Sequence, residues 1–567
     1  MTKKEVAAVL EEIALLLELS GENPFKSRSY VNVARALEMH EDELETLVSA
    51  KRLREIKGVG EALEAKIEEL VTTGALGYHE ALRAKFPESL FRLFHIPGLG
   101  AKRIRTLYED LKISSLEELD AACANSSIAA LKGFGDKMQQ KIIEGIGFAK
   151  KHAGQSLFHK AHAEAVHLRD WIAQDKAAIR IEIAGSLRRR KEVVKDIDIV
   201  ASSDDPETLM ARFVGADGVE RVTGRGETKS SVVLLSGLAA DLRVVTDTEF
   251  PYALHHFTGS KQHNVAMRQR AKDRGLKMNE YGLFRGESLV PCADETALFA
   301  ALDLPYIAPE LREDMGELEL SSAPRLIEQG DLLGVIHCHS TYSDGKASIE
   351  QMARGAMERG YRYLVLADHS QSAAYAGGLV PEAVVKQHQE IAAVNKKLKP
   401  FRVVRCIESD IRGSGALDYD EDVLKTFEML IASVHSGQNM SEADATQRVI
   451  RAVENPYTVI LGHPTGRLLT IREGYPLDMD RVVDACIANR VIIEINANPR
   501  RLDIDWRHIK RARDKGALFS IGPDAHSVEA LDDVQYGLGI ARKGWLAPEH
   551  VVNCLEVEQF LAWKNKK

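Results

Sequence analysis

From Leu332 onward, seven short apolar runs alternate with helix-length stretches, and nearly every run ends in a residue able to hold a metal. The runs are Leu332–Ile336, Tyr363–Ala367, Val403–Ile407, Met429–Ala432, Val459–Leu461, Val491–Ile495 and Leu518–Ile521. Strands separated by helical crossovers pair in parallel, so this pattern predicts a βα barrel or a related α/β fold. His337, Cys338 and His339 close the first run, with Asp344 just beyond it, and Asp368 and His369 close the second. Glu408, His435, His463, Glu494, and Asp524 with His526 close the remaining five. The carboxyl ends of parallel barrel strands converge, so these side chains are expected to meet in one cleft. A lone histidine is usually a satisfied core residue. Histidine and carboxylate repeating at strand ends point instead to a metal centre, of a type better suited to Zn²⁺ or Mn²⁺ than to Mg²⁺.

The first 146 or so residues read as nearly all helix, punctuated by three turns of one form: Ile56-Lys57-Gly58-Val59-Gly60, Ile96-Pro97-Gly98-Leu99-Gly100 and Leu131-Lys132-Gly133-Phe134-Gly135. A tight turn with two glycines beside a helix N-terminus presents backbone N–H groups to a phosphate. The three copies resemble the helix-hairpin-helix motif, which grips a nucleic-acid backbone without reading its sequence. Gly58, Gly60, Gly98, Gly100, Gly133 and Gly135 are therefore candidate DNA contacts.

Between these regions lie short strands, and one carries Asp196-Ile197-Asp198-Ile199. On a strand, alternate side chains share a face, so Asp196 and Asp198 converge while the isoleucines face a core. Asp241 opens a later strand. Three hard oxygen ligands could hold two Mg²⁺ or Mn²⁺ ions for nucleotidyl transfer, and the resident two-metal chemistry fits such a triad. Ten residues before Asp196 stands Gly185-Ser186, followed by Arg188 and Arg189, a turn rich in donors for phosphate oxygens.

Bulk properties are compatible with this. A chain of 567 residues needs several cores, and its 45% apolar and 28% charged residues are ordinary for a globular protein. The net charge of −9 does not exclude DNA, because binding depends on where the cations sit. The six cysteines form no C-x-x-C pair, which fits reduced thiols and a cytoplasmic location. No apolar run is long enough for a membrane span, and the N-terminal MTKKEVAAVLEEIALLLEL reads as an amphipathic helix without a signal-peptide cleavage site.

The Gly-Ser turn, the D-x-D strand and His256-Phe257-Thr258-Gly259-Ser260-Lys261, in that order, resemble the nucleotidyltransferase palm and thumb of family X DNA polymerases. The resemblance covers about the first 310 residues. It implies that Asp196, Asp198 and Asp241 bind the catalytic metals, with Asp241 nearest the primer hydroxyl. It also implies that Gly185, Ser186 and Arg189 bind the incoming nucleotide's phosphates, and that Phe257, Gly259 and Asn264 lie around its sugar and base. His256 stands where the family commonly has Tyr. Lys66 aligns with the family's Schiff-base lysine for removal of a 5′-deoxyribose phosphate, with Lys26 as a neighbouring cation able to lower its pKa. Ala62 replaces a further lysine of the vertebrate relative.

The second half resembles the PHP (polymerase and histidinol phosphatase) family, with all nine ligand positions filled and Pro523 where Thr is usual. That resemblance implies three ions: one held by His337, His339, Glu408 and Asp524, one by Glu408, His435 and His463, and one by Asp344, His369 and His526. The expected architecture is multidomain: an all-α lyase-like domain (1–82), helix-hairpin-helix fingers (83–150), an α+β palm (151–250), a thumb (251–310), a linker (311–330), and a distorted (β/α)7 PHP barrel (331–567). The expected function is gap-filling repair synthesis of the base-excision type, with a 3′-5′ exonuclease or 3′-end phosphoesterase in the barrel. Its partners would be gapped DNA bearing a 5′-phosphate and deoxynucleoside triphosphates, bound by a monomer that has no membrane partner. The alternative is a small-molecule phosphatase on a polymerase-derived DNA-binding scaffold.

Overall fold

The computed structural model describes every residue except Met39, Glu41, Pro97 and 565–567, so Pro97 of the second glycine turn lies outside the described residues. The chain divides into two compact units, Met1–Ala153 and Gly154–Lys567.

The first unit is helical. Its opening helix, Lys3–Leu19, is started by Thr2, whose hydroxyl accepts from the Glu5 N–H while the Glu5 carboxylate accepts from the Thr2 N–H. Val6, Leu10, Ile13 and Leu17 recur at helical spacing, and this stripe is fully buried. A second apolar cluster gathers Leu90, Leu93, Ile104, Leu107 and Ile142. In each glycine turn the first glycine is left-handed, with φ of 94° at Gly58, 85° at Gly98 and 91° at Gly133, a conformation that excludes most other residues. Gly60 and Gly100 then cap Glu61–Thr73 and Ala101–Leu111. The third copy slips by one residue, because Gly135 is itself the first residue of Gly135–His152.

The second unit opens with a five-stranded sheet in the order Arg180–Ile183, Asp196–Ser202, Ala239–Val245, Lys229–Leu234, Val219–Arg225. The central pair is parallel and the others antiparallel. Ile197, Ile199 and Ala201 pack with the helices Phe158–Ala173 and Pro206–Val214 on one face. On the opposite face Val200 packs under Phe250, Ala253 and Leu254. The period of two therefore leaves Asp196 and Asp198 on the face away from the helical core. A helical segment and a small three-stranded antiparallel sheet follow, with their own core around Tyr252, Met267, Leu283 and Phe299.

The C-terminal strands form a broken parallel barrel. Gly334–Cys338, Tyr363–Leu366 and Arg402–Arg405 make one sheet; Glu408–Asp410, Ile431–Ser433, Ile460–Leu461, Ile492–Asn496 and Phe519–Gly522 make the other. The single third strand expected from Val403–Ile407 is thus two, and a bridge from His369 to Glu408 links the sheets. A bridge from Cys338 to Ala525 joins the first strand to the last. Val552, Val557 and Phe560 pack with Tyr363, the first residue of its strand, closing the amino end of the barrel. The carboxyl end is left to the ligand residues.

The segment 311–330, expected as a linker, is tied down by ion pairs along its length. Arg312 is fully buried, donates from Nε to the Ile307 carbonyl (2.9 Å) and pairs with Glu295. Glu317 is buried beside the His263 ring at 2.7 Å, and the Arg542 Nε donates to Glu310 at 2.7 Å. The acidic residues hold ion pairs with basic side chains remote in sequence, which is why local composition misleads here.

Candidate active sites

In the five-stranded sheet, Asp198 and Asp241 are direct register partners on adjacent parallel strands, and Asp196 lies two residues from Asp198 on the same face. Burial, then the charges of Asp196 and Asp241, push the Asp198 carboxyl up to about 7; burial and Asp241 also raise Asp196. Three carboxylates held this close need cations. In the protein alone part of that charge comes from Lys229, whose Nζ lies 2.6 Å from Asp241 Oδ2, while the Ser231 hydroxyl donates to Asp241 Oδ1 at 2.6 Å. Gly185, with φ of 62°, lies so close that an added Cβ would fall 2.1 Å from Asp198 Oδ2. Only glycine lets this turn approach the carboxylates.

A protonated Asp198 must lose its proton to solvent before its carboxylate can hold a cation. Below pH 7 the proton competes, so Mn²⁺ affinity at this triad is expected to fall by about tenfold per pH unit between pH 7 and pH 5 and to level off above pH 8. Calorimetric titration of a variant whose barrel ligands are disabled would measure it; affinity that does not change with pH would contradict the assigned protonation.

The other residues expected around the nucleotide are mostly bonded within the protein. Ser186 is half-buried beside Gly185. Arg189 donates from Nε to Glu313 (2.9 Å) and from Nη1 to the Thr258 carbonyl (2.6 Å). Arg188 makes a two-pronged pair with Glu295 at 2.7 and 3.0 Å and serves the fold. Gly259 is required, since a Cβ there would meet Asn264 Oδ1 at 2.6 Å, and Asn264 Nδ2 donates to the His256 carbonyl at 2.7 Å. Phe257 lies under the Arg243 guanidinium, 4.3 Å from ring centre, and lines a cleft of about 370 Å³ with Glu280 and Tyr281.

At the barrel's carboxyl end all nine expected ligands converge. Glu408 is central: Oε1 lies 3.3 Å from His337 Nε2, 3.3 Å from His435 Nε2 and 2.9 Å from His463 Nε2, and Oε2 lies 2.9 Å from His369 Nδ1. Asp524 Oδ1 lies 3.1 Å from His339 Nε2, and Asp344 Oδ1 lies 3.2 Å from His526 Nε2. The donor atoms fall into three overlapping groups: His337, His339 and Asp524; His369, Glu408 and His435; His339, Asp344, His369 and His526. This differs from the expected partition in giving His339 to two groups and placing His369 next to Glu408. His337, His463 and Asp524 have positive φ (69°, 22° and 54°), strained backbone of the kind that re-aims side chains at a functional centre.

The electrostatics fit a cation site. Burial would raise Glu408, but His435, His337 and His369 hold it well below the carboxylate range. Burial would depress His435, but Glu408 and Asp410 lift it to about 10. Protons thus stand on imidazoles where the donor set of nitrogen and carboxylate oxygen would suit divalent transition metals.

Some participants escaped the sequence reading. Glu494, noted only as a strand end, accepts from His337 Nδ1 at 2.5 Å and from the His463 N–H at 2.7 Å. Asp410 pairs with His435 Nδ1, and Asp368 is fixed by the Ser340 N–H and hydroxyl, the Ser343 hydroxyl and Gln387. Such partners orient the ligands. Asp410 was readable, since Glu408-Ser409-Asp410 obeys the same alternation as Asp196 and Asp198.

In the first unit, Lys66 is half-buried, donates to the Ala62 carbonyl at 3.1 Å and lies 4.8 Å from the Tyr78 ring centre. Lys26, expected as its neighbouring cation, pairs with Glu22 at 3.5 Å. Around the glycine turns, a Cβ at Gly60, Gly100, Gly133 or Gly135 would meet nothing within 4 Å, so each backbone is open to a ligand.

Four known family models match parts of the chain. Residues 1–76 match a helix-hairpin-helix domain, 91–147 a SAM-like helix-hairpin-helix tandem, 253–313 the DNA polymerase beta thumb, and 336–498 the PHP domain. The chain is 38% identical over 569 residues to the DNA polymerase/3′-5′ exonuclease PolX of Bacillus subtilis (strain 168), covering 99% of each. It is 26% identical over 246 residues to a "Probable phosphatase" of Thermoanaerobacter sp. (strain X514), covering 41% of this chain and 95% of that one. It is 29% identical over 143 residues to the Repair DNA polymerase X of African swine fever virus (isolate Pig/Kenya/KEN-50/1950), covering 23% of this chain and 80% of that one. No described helix is long and apolar enough to cross a membrane.

Proposed function

The chain belongs to the family X DNA polymerases that carry a C-terminal PHP domain, and from that premise we propose that it fills short gaps in base-excision-type repair and trims 3′ ends hydrolytically in its barrel. The observation that supports the reading is that the candidate ligands cluster in two places: Asp196, Asp198 and Asp241 on one sheet face, and the histidines and carboxylates at the barrel's carboxyl end. The six-part division into lyase-like domain, fingers, palm, thumb, connector and barrel is the organisation we propose, acting as a monomer in the cytoplasm.

In the palm, Mg²⁺ or Mn²⁺ held by the three aspartates would offset the triphosphate's negative charge and make the primer hydroxyl easier to deprotonate. Ser186 and the Gly185 backbone bind phosphate oxygens, Arg189 adds a charged donor, and Phe257, Gly259 and Asn264 border the sugar and base. Lys229 and Ser231 fix the Asp241 carboxylate that faces the primer end. In the barrel, two or three Mn²⁺ or Zn²⁺ ions would supply Lewis acidity for phosphoester hydrolysis. Glu494, Asp410 and Asp368 orient the imidazoles and the loop that hold them. Likeness to a probable phosphatase covers 41% of this chain, and the clustered aspartate triad argues against a scaffold-only palm.

The glycine turns of the first unit are read as contacts to the DNA backbone, and Lys66 as a contact to the 5′ end. Synthesis is therefore expected to be distributive and strongest on short gaps, with removal of the 5′-phosphate reducing gap filling by about tenfold, the scale of one lost charge-assisted contact. Equal rates on long ungapped templates would overturn the end-binding role. If Lys66 also forms a Schiff base, borohydride trapping of a 5′-deoxyribose phosphate will vanish in Lys66→Ala, and trapping that persists would dismiss it.

A further inference from the structure

The barrel reaches directly into the turn that carries the candidate triphosphate ligands. Lys543 ends the helix Val534–Lys543, and its side chain is fully buried. Its ammonium donates to the Arg189 carbonyl at 3.1 Å and to the Glu310 carbonyl at 3.3 Å, pairs with Glu313 Oε1 at 2.5 Å, and lies 4.3 Å from the Trp506 ring centre. Burying an ammonium is costly unless each donor is matched. Here its donors are spent on the backbone of Arg189 and on the carboxylate that also holds the Arg189 guanidinium at 2.9 Å.

A second clamp grips the far end of the same turn. Glu192, almost fully buried, accepts from Trp506 Nε1 at 3.1 Å and from Arg507 Nη1 at 2.9 Å. Between the clamps Arg190 lies over Gly539 of the barrel helix, where a Cβ would stand 3.4 Å from its Cδ. The stretch from Arg189 to Glu192 is thus held at both ends by side chains of the phosphoesterase half. A palm sheet by itself has no need of a buried lysine more than 350 positions away in sequence, the separation of Lys543 from Arg189 being 354.

We propose that Lys543 and Glu313 are positioning residues for the polymerase reaction, holding Arg189 and its turn in the geometry that receives the triphosphate, so that the barrel completes the nucleotide site. This rests on the reading of Arg189 as a phosphate contact. Arg189 is pre-oriented at no cost when the nucleotide arrives, which is the usual route by which a remote side chain lowers KM.

The test uses the full-length protein on a one-nucleotide gap, comparing Lys543→Met, Glu313→Gln and Arg189→Ala, with melting temperature measured for each. Lys543→Met keeps length and removes the charge, and Glu313→Gln keeps shape, so at least one folded variant is expected. The proposal predicts that KM for the nucleotide rises by about tenfold or more in either positioning variant, with a much smaller change in kcat and no change in 3′-hydrolysis. It also predicts that Lys543→Met adds little once Arg189 is Ala, because the two act as one unit. An unchanged KM in a folded Lys543→Met or Glu313→Gln protein would overturn the proposal, as would equal losses in both activities with a lowered melting temperature. An unchanged KM in Arg189→Ala would instead overturn the assignment of Arg189 as a phosphate contact, a separate failure.

Discussion

Asp198→Asn is expected to lower gap-filling synthesis by roughly a thousandfold or more, while 3′-hydrolysis by the barrel stays within about twofold of wild type. Asp198 lies between Asp196 and Asp241, is the register partner of the latter, and touches the Gly185 turn. Asn preserves its volume, so packing is not disturbed. It removes the central carboxylate charge of the proposed cation site. Stability should move the other way. The folded-state carboxyl of Asp198 is raised to about 7 by burial and by its two acidic neighbours, so ionising it destabilises the metal-free fold. That destabilisation is absent below the unfolded carboxylate range and fully present above pH 7. The metal-free Asn variant should therefore melt no lower than wild type at pH 8, and higher if the repulsion is large, which separates a catalytic loss from a folding one. A variant that loses synthesis and also melts earlier would contradict this account of the site.

Glu408→Gln carries the second large effect. One carboxylate serves His337, His435, His463 and His369 at 2.9 to 3.3 Å. Gln keeps the shape and one acceptor oxygen but leaves a cluster of imidazoles without its central negative charge. Hydrolysis of 3′ ends is expected to fall by roughly a thousandfold, and metal content after purification to drop with it. Here stability should suffer, because removing one partner from a buried charged set typically costs about 3–5 kcal/mol. Elemental analysis alongside primer shortening checks both parts; full metal content with no hydrolysis would mean that Glu408 acts on the substrate and not as a ligand.

Both centres were legible for the same reason: each is written in a strand period. Asp196 and Asp198 share a face by alternation, and barrel ligands sit at the ends of apolar runs. Gly185 was legible only as part of a donor-rich Gly-Ser turn; its need for glycine shows in the structure, where a Cβ would meet Asp198 Oδ2. What stayed hidden depends on pairing between distant segments. Lys229 and Ser231 reach Asp241 only through the register of an antiparallel strand pair, and Glu494 reaches His337 across 157 positions. The positive φ values at His337, His463 and Asp524 have no sequence signature, since none of these residues is glycine. The ion pairs of the connector stayed hidden for a related reason. Its acidic residues look solvated in isolation, yet Glu313 pairs with Lys543 and Glu317 with His263, while Arg312 is buried against Glu295.

The most direct test of two separate nucleic-acid chemistries in one chain is a 5′-labelled primer at a one-nucleotide gap, with Mn²⁺, with and without nucleotides. Wild type, Asp198→Asn and Glu408→Gln would be run side by side. The account predicts extension lost only in Asp198→Asn and primer shortening lost only in Glu408→Gln. Shortening absent from wild type, or both activities lost together in either variant, would contradict it.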